Sequence, residues 1–414
     1  MNMKNRLIAM NFLQYAVWGA WLITLGKYLK SEHLNLGDQI GSFYATMGLG
    51  SLFMPALMGI VADRWIPAQK LLGICHFIAA TFMLVAAQQT AFGPLYTSIL
   101  ISVMFYMPTI ALSNSVAYNA LDNAKLDAVK AFPPIRVWGT VGFIAAMWVV
   151  DLAGFGTNAN QLYLSAAIGI TLGIYSFSLP ACETSKSSSA KSLVDMLGLR
   201  AFMLFKKRRM ALFFIFSMML GMLLQITNAY ADPYIDSFRK IEEYKDAFFT
   251  NHSTILLSLS QISETLCILL IPFFLKRFGI KKVMLISMLA WAIRFAMLGA
   301  GNPGAGVWMF FISMIVYGVA FDFFNISGSL FVNREAPAEI RSSAQGVFMI
   351  MTNGFGAVIG SYAAQAVVNA TKIGDIQSPD SWFIFAGFAL VVMVLFALLF
   401  RYKHEPDKEM EIKH

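Results

Sequence analysis

The sequence predicts an all-α integral membrane protein: twelve transmembrane helices in two pseudo-symmetric six-helix bundles. Three observations carry this expectation. Of 414 residues, 58% are hydrophobic, only 13% are charged and 36 are Phe, whereas a soluble domain is nearer about 45–50% apolar and about 25% charged. Apolar runs long enough to cross a hydrocarbon core of about 30 Å as helices recur along the whole chain. With the N-terminus inside, 23 of the 31 Lys and Arg fall in inner connections and 6 in outer ones, leaving Arg136 and Arg294 within spans. Such a bias predicts an even number of spans with both termini cytoplasmic. The net charge of +8 is then a topology signal facing the lipid bilayer, and nucleic acid is not an expected partner.

The spans are placed at 7–29, 38–62, 71–89, 94–120, 129–153, 161–180, 210–235, 254–275, 282–299, 306–331, 343–368 and 381–401. The first follows the basic stretch MNMKNR, contains Gln14, Trp18 and Trp21, and has no A-x-A site at signal-peptide distance, so it is expected to remain as an uncleaved span. The longest inner connection, 181–209, opens as ETSKSSSAKS, flexible in composition, and continues LVDMLGLRAFMLFKKRR, predicting a short interfacial helix with a basic end. It divides the chain into an N-terminal bundle over 1–180 and a C-terminal bundle over 210–414. Cys75, Cys182 and Cys267 are too scattered for a metal site or a disulfide framework. No HExxH, GxSxG or Walker P-loop occurs, so neither an enzyme, a metal site, a cofactor nor ATP-driven pumping is expected. Energy must come from an ion gradient or from the substrate's own.

An internal repeat is visible at the inner turns. GIVADRWIPAQK (59–70) follows span 2 and FFLKRFGIKK (273–282) follows span 8, with Asp63-Arg64 and Lys276-Arg277 in matching places. The first turn resembles the G-x-x-x-D-R turn between the second and third helices of the major facilitator superfamily. Gly59, Asp63 and Arg64 are accordingly read as a gating turn, with Gly59 permitting close helix approach and Asp63 capping or pairing at the next helix end.

Polar residues where lipid should be are the candidates for function. Gln261 and Glu264 sit three residues apart in span 8, hence on one helix face. Glu264 is roughly 15 Å deep at 1.5 Å per residue, where an ionisable side chain costs at least ~2.5–3.5 kcal/mol. In span 7, Gln225 and Asn228 repeat that spacing. In span 10, a step of about 100° per residue places Tyr317 and Phe321 on one wall and Asp322 on its flank. Asp322 is a candidate for proton exchange, since a lone buried carboxylate is costly. In span 5, Arg136, Thr140 and Phe143 share a face after Pro133-Pro134, which argues for a bend just ahead of Arg136. Interhelical hydrogen bonding competes for the amides, helix capping for Asp322 and snorkelling for Arg136. Asn114, Tyr118, Gln14, Trp18, Gln345 and Asn353 are further cavity-lining candidates. His76 lacks an obvious partner, and neither it nor Arg294 is given a role.

Two halves joined by a linker predict a midplane site lined from both. Amides match a nucleobase edge, rings stack on its plane, and carboxylates accept from ribose hydroxyls; a sugar would satisfy the same groups. FLQYAVWGAWL, FPPIRVWGTVGF, LQITNAY, SQISETL, FDFFNISGSLFV and AQGVFMIMTNGFG resemble the nucleoside:proton symporter family of bacterial inner membranes, a branch of the major facilitator superfamily, over nearly the whole chain. The resemblance implies the major facilitator fold and uptake of nucleosides such as uridine and adenosine with protons, by alternating access, in a monomer of the inner membrane. It also implies substrate-binding roles for Arg136, Thr140, Phe143, Gln225, Asn228, Gln261, Glu264, Tyr317 and Phe321, and leaves Asp322 for proton coupling. A proton-coupled sugar transporter and a drug:proton exporter of the same fold are the alternatives.

Overall fold

The computed structural model describes residues 2–182, 199–337, 340–374 and 376–402. Among these residues the chain is helical apart from connecting turns and one bridge between Ile373 and Ile376. Nine helices among them are long and apolar enough to cross a membrane. Large apolar side chains such as Leu152, Leu269 and Leu398 stand exposed, as a surface solvated by hydrocarbon requires. The chain divides into two compact units, Met1–Leu197 and Gly198–His414. The division falls within the expected linker, of which 183–198 lie outside the described residues.

In the first unit, α1 (Met3–Gly19) and the short α2 (Leu25–Leu29) replace the single expected span over 7–29. The amides of Trp21 and Leu22 both turn back to the carbonyl of Trp18, the shared acceptor that marks a tightened helix end. The turn that follows is buried from Ala20 to Thr24, and the Thr24 hydroxyl donates to Gln161 Oε1 at 2.8 Å. A run of apolar residues therefore conceals a break held by tertiary contacts. The unit continues with α3 (Ile40–Arg64), α4 (Ala68–Ala86), α5 (Phe92–Asn123), α6 (Ala128–Leu152) and α7 (Asn160–Ser176). Pro133 and Pro134 lie inside α6, within one turn ahead of Arg136.

Close crossings set the packing. A Cβ added to Gly142 would stand 2.1 Å from the carbonyl oxygen of Phe12, and one added to Gly19 would stand 2.3 Å from that of Phe143. Glycine on each helix thus lets the backbones of α1 and α6 touch. Gly59 does not serve such an approach: an added Cβ would meet nothing within 4 Å. Among the described residues of the first unit, no backbone makes a close approach at Gly59. Asp63, at the end of α3, is exposed.

The second unit begins with a 3-10 helix, Leu199–Lys206, with Lys206 in its last turn, in the described part of the stretch where a short helix with a basic end is expected. Then come α8 (Arg208–Ser237), the single turn α9 (Phe248–Asn251), α10 (Ser253–Ile268), α11 (Ile271–Ala300), α12 (Val307–Glu335), α13 (Arg341–Met349), a π-helical stretch Ile350–Gly356, α14 (Ala357–Thr371) and α15 (Pro379–Leu399). The expected span 254–275 is interrupted after Ile268 and restarts with Pro272 in the first turn of α11, where a missing N–H costs nothing. Gly279 then divides α11 with φ 74°, a left-handed conformation that glycine adopts readily.

Taking α13 and α14 as one helix, omitting the short α2 and α9, and numbering the remaining helices in order within each unit, the dominant pairings repeat. The first packs on the fifth, the second on the fourth, and the third on both the fourth and the sixth. The α1–α6 crossing has its counterpart where Gly221 of α8 approaches the carbonyl oxygen of Thr352 to within 2.1 Å of an added Cβ.

Candidate functional site

Helix α12 carries Tyr317 and Phe321, one turn apart, with ring centroids 5.9 Å apart and planes inclined by only 4°. They form one continuous aromatic surface. Tyr317 is backed edge-on by Trp291 of α11, at 5.9 Å, and is buried while Phe321 is half-buried. The register of α12 against α10 is set at the next residue. Gly318 donates its N–H to Ser263 Oγ at 3.3 Å, and Ser263 donates in turn to the carbonyl of Ile315. This brings Gln261 within hydrogen-bonding reach of the Tyr317 hydroxyl and sets Glu264 where its charge acts on both Tyr317 and Asp322. Gln261 and Glu264 are half-buried. Asp322 is only 4% exposed, faces Glu264 and Cys267 electrostatically, and has an Oδ2 without a hydrogen-bond partner among the described residues. The structure therefore brings the half-buried Glu264 and the buried Asp322 to one place beside the aromatic surface. On α8, Gln225 is buried with no hydrogen-bond partner for its Oε1 among the described residues, and Asn228 is half-buried.

In the first unit, α6 lays its candidate residues against α1. The Arg136 guanidinium sits 3.9 Å from the centroid of the buried Tyr15 ring, a cation–π contact rather than the outward reach of a snorkelling arginine. Phe143 meets Trp18 edge-on at 6.4 Å, and Trp18 meets Tyr106 at 5.7 Å. Thr140 is half-buried beside them in sequence. Gln14 ties this group together: its Nε2 donates to Thr109 Oγ1 at 2.7 Å, its carbonyl accepts from the Tyr106 hydroxyl at 2.8 Å, and its Oε1 lies 2.8 Å from His76 Nε2. With Gln14 Nε2 committed to Thr109, its Oε1 must accept, so His76 carries its proton on Nε2.

The family model described as nucleoside H+ symporter matches residues 1–405 of the chain. The chain belongs to the nucleoside H+ symporter family. The nucleoside permease NupG of Escherichia coli (strain K12) is 48% identical over 406 residues, covering 98% of this chain and 97% of that one. The xanthosine permease of the same organism is 46% identical over 416 residues, covering 100% and 99%. A crystal structure of a point mutant of nucleoside transporter NupG superposes with a TM-score of 0.93 at 47% identity, covering 97% of this chain and 100% of that one. The transporter PepTSo of the POT family, at 14% identity and a TM-score of 0.71 over 96% and 97%, shares the fold alone. The protein is a membrane permease that takes up nucleosides with protons, not an enzyme.

Two residues of the symporter have partners that the sequence did not disclose. His76, read as lacking an obvious partner, is fully buried and hydrogen-bonded to Gln14. Arg294, left without a role, is 1% exposed and holds its guanidinium 4.6 Å from the centroid of the Tyr317 ring. A charge in mid-span was the available signal for Arg294. What it meets depends on three other helices.

Proposed function

We propose that the symporter lays the nucleobase on the Tyr317–Phe321 surface. Gln225, Asn228 and Gln261 read the polar edges, Glu264 accepts hydrogen bonds from the ribose hydroxyls, and Asp322 carries the coupled proton. Arg136, Thr140 and Phe143 supply further substrate contacts. The observation that carries this is the near-parallel ring pair with Gln261 and Glu264 beside it and a second, deeper acid at Asp322. Flat, π-faced ligands with vicinal hydroxyls match that combination. Competition of labelled uridine uptake by nucleosides, free bases and hexoses tests it: nucleosides should compete best, and equal competition by hexoses would overturn the base-stacking role.

Two side-chain predictions follow from the same assignment. Gln225→Ala and Asn228→Ala should each weaken uridine binding by about 1–3 kcal/mol, the range for leaving a buried polar partner unsatisfied, with membrane insertion unchanged. Isothermal calorimetry returning native affinity for both would take them out of the pocket. Phe321→Ala should lose more affinity than Phe321→Tyr, because a stacking face contributes ~1–3 kcal/mol per base and Tyr keeps it. Equal losses would point to packing as the role of that ring.

The proposed frame is twelve spans in two pseudo-symmetric six-helix bundles, 1–180 and 210–414, working as a monomer by alternating access in a bacterial inner membrane. Both termini face the cytoplasm, and Asp63 and Arg64 act at an inner turn. The inner-turn basic residues support this orientation. Single cysteines at Lys30 and Lys372 should react with an impermeant thiol reagent added outside intact cells, and ones at Lys70 and Arg277 should not. The reverse pattern would invert the topology.

A further inference from the structure

We propose that Arg294 is the positioning residue of the substrate-contacting group in the second unit. The proposal rests on the reading of that group given above. The side chain leaves α11 and reaches three other helices at once. Nη1 donates to the Ser313 carbonyl at 2.6 Å and to Ser260 Oγ at 3.2 Å, Nε donates to Thr227 Oγ1 at 3.4 Å, and the guanidinium lies 4.6 Å from the Tyr317 ring centroid. The Ser313 hydroxyl returns a bond to the Arg294 carbonyl at 2.9 Å.

Each partner adjoins a residue assigned to the substrate. Thr227 precedes Asn228 on α8, Ser260 precedes Gln261 on α10, and Ser313 lies one turn before Tyr317 on α12. One planar fork thereby fixes, from behind, the mutual register of the amides and the aromatic surface. Only arginine suits this place. Its five N–H donors in a rigid plane serve several acceptors while its face meets a ring. A lysine ammonium is compact and cannot span the same partners. Burying a guanidinium among neutral groups is costly unless each donor is satisfied, so its presence in a span calls for a role. Holding three helices to one geometry is what its contacts accomplish. Arg294 touches no substrate in this scheme and acts through Asn228, Gln261 and Tyr317.

The test compares Arg294→Lys and Arg294→Gln with Gln261→Ala and Asn228→Ala in the full-length protein. It measures uridine affinity by calorimetry, KM and kcat in proteoliposomes, and melting temperature in detergent. Both Arg294 variants should raise KM and Kd at least about tenfold, with kcat changed less than about threefold. Arg294→Lys should stay folded and inserted, with a melting temperature lowered by the contacts it cannot make. Combining Arg294→Lys with Gln261→Ala should cost clearly less than the product of the single effects, because residues acting through one another are non-additive. If Gln261→Ala and Asn228→Ala lose affinity while both Arg294 variants keep it, the positioning role is overturned and the site stands. The role is equally overturned if losses at Arg294 multiply independently with those at Gln261, or fall on kcat alone. If Gln261→Ala and Asn228→Ala bind natively, the site reading fails and takes the Arg294 role with it.

Discussion

Asp322→Asn is expected to abolish concentrative uptake driven by an imposed pH gradient while leaving uridine binding and part of the downhill exchange intact. Asn has the shape of the protonated acid and cannot release a proton, so a carrier that must lose one on the inner side is left without its driving force. Asp322 lies off the Tyr317–Phe321 surface on the helix step, is 4% exposed, and has a carboxylate oxygen with no partner among the described residues. A proton can therefore come and go there without removing a substrate contact. Glu264, half-buried and on the same face as Gln261, should behave differently. Glu264→Gln should weaken binding itself, because an amide accepts less strongly from ribose hydroxyls than a carboxylate. Because the two acids act on each other electrostatically, titration data should be fitted as a pair. Calorimetry and pH-driven accumulation on both variants check the assignment. Accumulation against a gradient by Asp322→Asn would place the proton elsewhere.

Gly318→Ala should be the most damaging single methyl in the second unit's site. The added Cβ would lie 2.5 Å from the Ser263 carbonyl oxygen and 2.8 Å from Cys267 Sγ. The first neighbour is backbone, so relief requires α10 and α12 to separate. Overpacking of this kind costs about 1–3 kcal/mol, more than the ~1 kcal/mol that Gly→Ala returns in a helix. Separation would also draw Gln261 and Glu264 away from Tyr317, so uridine affinity should fall together with melting temperature. Gly59→Ala is the control. Its Cβ would meet nothing within 4 Å, so melting temperature should hold or rise slightly. A Gly318→Ala protein with native melting and native affinity would show that α10 and α12 tolerate a wider crossing.

Much of the candidate site was legible because it lies within single helices. Gln261 with Glu264, Gln225 with Asn228, and Tyr317 with Phe321 are three- and four-residue pairs, and helical geometry alone puts each pair on one face. The stacking of Tyr317 on Phe321 at 4° is that periodicity realised. Even there, the pairing of Asp322 with Glu264 needed the α10–α12 crossing at Gly318, and glycine in a run of apolar residues announces nothing about its neighbour. The break between α1 and α2 is not legible in the sequence for a related reason. Residues 20–24 are as apolar as a span, and what stops the helix is a buried turn held by Thr24 and Gln161.

The sequence by itself determined that the chain is an all-helical membrane protein with many apolar helices, and which polar residues in those helices are costly enough to demand a purpose. These follow from transfer energetics and from the 3.6-residue period, both local properties of the chain. Only the tertiary structure decided which helices touch within each unit, that Gly142, Gly221 and Gly318 sit at backbone contacts, that His76 belongs to Gln14, and that Arg294 joins Thr227, Ser260, Ser313 and Tyr317. These partners lie 19 to 67 residues from Arg294 and 62 from His76. No helical period relates positions so far apart; they meet because the helices that carry them pack at crossings fixed by glycine and by shape.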